Sequence, residues 1–103
     1  MNQKEIIIEI QKEMKKFFTQ ETTGHDWYHI ERVWKNAQKI AAHYPEANPL
    51  QIELAALLHD RYDYKIVSNV EQAKLEVRDL LVQHGLTKEL IEKILYSIDA
   101  VGF

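Results

Sequence analysis

Two histidine–aspartate doublets, His25-Asp26 and His59-Asp60, are the residues of this chain best suited to chemistry. His29 follows the first doublet, and Asp63 and Lys65 follow the second. Imidazole nitrogens grouped with carboxylate oxygens suit a borderline divalent cation such as Mn²⁺, Fe²⁺, Zn²⁺, Co²⁺ or Ni²⁺. Such an ion lowers the pKa of bound water and polarises a phosphoryl oxygen. Beside it, Lys65 could offset developing phosphate charge. Asp63 could orient the attacking water or accept its proton. His25 could do either, or hold a ligating side chain in place by a hydrogen bond. Each of these residues also has a plain structural reading. His25 or Asp26 could be no more than a helix cap. His59-Asp60 could be an exposed helix end, although an acid there opposes the helix dipole unless something positive compensates. Asp63 and Lys65 could be ordinary loop charges.

Hydrophobic spacing says which elements must position them. Only three Gly and two Pro punctuate the 103 residues, and the stretches between them repeat near 3.6, which predicts an all-α domain of about five helices. The first runs from Gln3 to Phe18, with Ile6, Ile10, Met14, Phe17 and Phe18 as its apolar stripe. Thr19 to Gly24 reads as a loop. The second runs from Asp26 to His43 on Ile30, Val33, Trp34, Ala37, Ile40 and Ala41. Trp27, Tyr28 and Trp34 are expected as core or interface aromatics. The third starts at Pro49, a favourable first-turn residue, and is apolar on nearly every side, as a buried central helix is. It ends around His59-Asp60. Ser68-x-x-Glu71 then reads as a capping box opening a fourth helix, on Val70, Ala73, Leu75, Val77, Leu80 and Leu81, with Gly85 at its C′ position. Thr87 caps a fifth, Lys88 to Ile98. The short Pro45–Pro49 connection favours antiparallel second and third helices. That arrangement brings the start of one, with His29, beside the end of the other, with His59 and Asp60.

Net charge is −3, from 13 basic and 16 acidic side chains. No general basic field exists for nucleic acid or an anionic membrane surface. With no cysteine, disulfides, thiolate catalysis and Cys-ligated zinc are excluded. No apolar run approaches the length of a bilayer span, and Met1 to Glu13 has no signal-peptide pattern. The expectation is a single cytoplasmic domain over residues 1–103 with neither membrane nor nucleic acid as partner.

The stretch Gly24-His25-Asp26-Trp27-Tyr28-His29-Ile30-Glu31-Arg32-Val33 resembles the opening motif of the HD superfamily of metal-dependent phosphohydrolases, in its small bacterial single-domain branch. Ala55-Ala56-Leu57-Leu58-His59-Asp60 resembles the doublet that names the superfamily, and Asp63-Tyr64-Lys65 the D-x-K element that follows it. The resemblance implies an HD-like helical bundle in which His29, His59 and Asp60 bind a divalent ion (Mn²⁺, Fe²⁺, Ni²⁺, Co²⁺, Zn²⁺ or Mg²⁺). It places Asp63, Lys65 and His25 as catalytic or phosphate-facing groups, with Asp26 in support. The implied reaction is hydrolysis of a phosphoester or phosphoanhydride in a small, nucleotide-like phosphorylated molecule, by metal-activated water. The family pattern H…HD…D ends on an Asp in a segment resembling D-A-D-R-L. No such segment occurs here, and Asp99 lies in a different motif context. The chain is thus expected to be the N-terminal portion of the family's full domain. An uncovered apolar face would favour a homo-oligomer. The alternative function is a catalytically impaired HD-derived domain that serves in oligomerisation or binding.

Overall fold

The structure is a computed structural model, and it describes residues 2–19, 27–43, 48–63 and 67–101. Five helices follow one another with no strand among the described residues: α1 (Gln3–Phe18), α2 (Trp27–His43), α3 (Pro49–Leu58), α4 (Val70–Gln83) and α5 (Lys88–Val101).

Local chemistry explains where most of them start and stop. Asn2 caps α1, its Oδ1 accepting from the Glu5 N–H at 2.8 Å. Glu5 in the first turn and Lys15 and Lys16 in the last complement the helix dipole. Lys12, Lys15 and Lys16 face solvent, while Ile6, Ile10, Met14 and Phe18 are buried, a row at strict i, i+4 spacing that lies on one side of the helix. Asn48 caps α3 through Leu50 N–H at 3.0 Å, and Pro49 follows in the first turn, where its missing N–H costs nothing. Gly85 adopts φ 83° and closes α4. Its N–H donates to Val82 O at 3.0 Å and that of Leu86 to Leu81 O at 3.2 Å, the paired bonds of a Schellman ending. The Leu90 N–H then donates to Thr87 Oγ1 at 3.2 Å, which caps α5 as expected.

Helix α3 is the centre. It packs against α1, α2 and α5, and Leu50, Leu54, Ala55, Ala56, Leu57 and Leu58 are all buried. Residues on α2 and α3 pair in opposite order: Trp34 meets Glu53, and His29 meets Asp60. The two helices are therefore antiparallel, and the N-terminal turn of α2 lies beside the C-terminal end of α3.

Four details differ from the sequence reading. Helix α4 starts at Val70, with Asn69 rather than Ser68 as its cap, and Asn69 Oδ1 accepts from Gln72 N–H at 3.0 Å. Asn caps as well as Ser, so the start moves one residue on. Leu75 and Ile40, assigned to apolar stripes, are exposed, because a partner covers only part of each stripe. Tyr28 is exposed too, while Trp27 and Trp34 pack on the core. Helix α5 continues past Ile98 to Val101.

Candidate metal centre

His29 lies in the first turns of α2, His59 is the C-cap residue of α3, and Asp60 follows it. One ligand-type atom from each falls within 4.8 Å of the others. The Asp60 carboxylate is at the middle of the group. Its Oδ1 is 3.1 Å from His59 Nε2, and its Oδ2 is 3.4 Å from His29 Nε2. The two imidazole centroids are 5.7 Å apart. Asp60 and His59 are buried, whereas the His29 side chain is 39% exposed, so the cluster opens to solvent on the α2 side.

One hydrogen bond decides the chemistry of the group. His59 Nδ1 lies 2.6 Å from the carbonyl oxygen of Ala56. A carbonyl only accepts, so Nδ1 carries the hydrogen and donates. In the neutral ring Nε2 then presents a lone pair, and what it faces at 3.1 Å is a carboxylate oxygen, also an acceptor. Two acceptors that close are reconciled by a proton or by a cation between them. The bond from Nδ1 to a backbone carbonyl is also the usual way a metal-binding imidazole is oriented. Two imidazoles and a carboxylate suit a borderline divalent ion, and a cation there would also offset the acid at the negative end of α3. The residues fit such an ion.

The sequence profile of the HD domain family matches residues 26–100. The chain belongs to that family. This HD domain is 34% identical over 90 residues to the uncharacterized protein YpgQ of Bacillus subtilis (strain 168), a match covering 87% of this chain and 43% of YpgQ. It is also similar to the crystal structure of the Lin1889 protein from Listeria innocua, with a TM-score of 0.78 and 33% identity over 96% of this chain and 47% of that one. The chain thus spans less than half the length of these two relatives.

Of the sequence-predicted site residues, His29, His59 and Asp60 come together in this cluster. Asp63 lines an adjoining cavity of about 290 Å³ whose wall includes His59. His25, Asp26 and Lys65 lie outside the described residues. The cavity also holds three groups the sequence reading did not place there: Tyr62, Lys74 and Asp99. The Tyr62 hydroxyl donates to Asp99 Oδ1 at 3.4 Å. Burial first, then the neighbouring Asp99, pushes its phenol far above the usual range, partly opposed by Arg78, so Tyr62 stays a protonated donor. Nothing in the linear sequence distinguishes Lys74 from the other charges of α4; only packing puts it beside the loop that follows α3. No described helix is long and apolar enough to cross a membrane.

Proposed function

We propose that this HD domain hydrolyses a phosphoester or phosphoanhydride bond in a small, nucleotide-like molecule with the help of a divalent cation. The observation that carries the reading is the His29–His59–Asp60 cluster, all within 4.8 Å, in a chain whose family match spans residues 26–100. These three side chains would hold the ion. The chemistry it supplies when bound is Lewis acidity, which acidifies water and polarises a phosphoryl oxygen.

The chain's own groups do the rest. Ala56 O orients the His59 ring, and Nε2 would be the nitrogen that holds the ion. Asp63, on the wall shared with His59, orients the attacking water and accepts its proton at a carboxylate oxygen. In the family-derived assignment Lys65 carries its ammonium to the phosphoryl oxygens, and His25 with Asp26 steadies the ligands. A cytoplasmic setting and self-association through exposed apolar side chains such as Ile40, Leu75 and Val82 belong to the same reading.

The test combines elemental analysis of the purified protein with a screen of phosphorylated substrates in added Mn²⁺ or Ni²⁺. Bound metal and turnover are expected, both lost in His59→Ala. A wild-type protein with neither would favour a domain that has lost catalysis and works by binding or self-association.

A further inference from the structure

The cavity beside the metal centre is built by three separate parts of the chain. His59, Tyr62 and Asp63 come from the end of α3 and the residues after it, Val70 and Lys74 from α4, and Ile98 and Asp99 from α5. Lys74 supplies its ammonium. Nζ lies 3.6 Å from Asp99 Oδ2 and 5.4 Å from the centroid of the Tyr62 ring. Tyr62 in turn donates to the other oxygen of Asp99 at 3.4 Å. These are long contacts. The pair Arg61–Glu76, at 2.8 Å with the guanidinium also 4.1 Å over Phe17, shows what a tight ion pair looks like in the same molecule. A lysine held at 3.6 Å by a half-exposed carboxylate gives up that partner at little cost.

Lys74 is the one cation among the described residues that line this cavity. A divalent ion on His29, His59 and Asp60 would add positive charge at its His59 end, and the two together would favour an anion there. At about 290 Å³, just under the usual range for small-molecule pockets, the space suits one part of a ligand rather than a whole nucleotide. A phosphate group against Lys74, with Val70 and Ile98 as the apolar wall, matches it.

We propose that Lys74 is a phosphate-binding residue of this site, kept beside His59 by Asp99 and Tyr62, and that it exchanges Asp99 for the phosphoryl oxygens of the substrate. This rests on the hydrolase reading above, and it adds a residue that the HD motifs do not contain.

The test is isothermal calorimetry with two probes, Mn²⁺ alone and then inorganic phosphate, on wild type, Lys74→Gln and Asp99→Asn. Wild type loaded with Mn²⁺ should bind phosphate. Lys74→Gln should weaken phosphate binding about ten-fold, as loss of a charge-assisted contact does, without weakening Mn²⁺, because a positive charge has been removed. Asp99→Asn should tighten phosphate, because Lys74 loses its competitor. Weaker phosphate binding in both variants would make the cluster a structural tie and overturn the proposal. So would unchanged phosphate affinity in Lys74→Gln with Mn²⁺ still bound, and that result would leave the hydrolase reading standing. No Mn²⁺ binding in wild type would remove both.

Discussion

Two carboxylates reach from the α3 side of the bundle to α2, and their surroundings are opposite. Glu53, in the middle of α3, meets donors. Trp34 Nε1 and Gln38 Nε2 both donate to its Oε1, at 2.9 Å and 3.1 Å. Asp60, at the end of α3, meets imidazole nitrogens at 3.1 Å and 3.4 Å, one of them on a ring whose Nδ1 donates to Ala56 O and whose Nε2, when the ring is neutral, is an acceptor. The first arrangement is complete within the protein and ties two helices together. The second sets a ring nitrogen against a carboxylate oxygen, a contact that a proton on the ring or a positive ion between them would complete. Proximity of a carboxylate and ring nitrogens is therefore not enough to mark a metal centre. The direction of each hydrogen decides, and here a backbone carbonyl sets it.

The strongest way to break this comparison is to load the site. Mn²⁺ at a hundred times its dissociation constant should stabilise wild type by about 2.7 kcal/mol, read as a rise in Tm, and His59→Ala should lose that response. Equal Tm shifts in the two proteins would mean that the ion binds elsewhere. Next in size is the tie itself. Glu53→Ala should lower stability by about 1–2 kcal/mol in urea unfolding, since it strips the acceptor from two donors. Its Mn²⁺ affinity should stay that of wild type. If Mn²⁺ binding collapses as well, the two carboxylates are not independent. The smallest effect is the sharpest. In metal-free protein, Asp60→Asn should be as stable as wild type or more stable by up to about 1 kcal/mol, because the amide can donate to His59 Nε2 where a carboxylate cannot. Added Mn²⁺ should then do nothing. A clear loss of stability in Asp60→Asn would show that the carboxylate is structural in the same sense as Glu53.

Much of the candidate metal centre is legible in the sequence. Apolar spacing placed the helices, Gly85 and Thr87 marked one end and the next start, and a short α2–α3 connection put His29 next to His59-Asp60. These signals are local, or need only the rule that short connections make antiparallel neighbours. What stayed hidden depends on helix rotation and on which partner lies opposite. Leu75 and Ile40 fit apolar stripes yet are exposed, because periodicity gives the apolar side of a helix but not how much of it a neighbour covers. Asn69 displaced Ser68 as a cap because two good caps stand side by side. Glu53 and Lys74 look like any helix charge; only the packing of α3 on α2, and of α4 and α5 beside the end of α3, reveals that one fastens helices and the other stands over a cavity.

The bond from His59 to Ala56 has a mechanical side. Anchored to a carbonyl of α3, that imidazole is oriented by its own helix. His29 rides on α2. The gap between the rings therefore follows the placement of one helix against the other, and an ion spanning it would act as a clasp between the start of α2 and the end of α3.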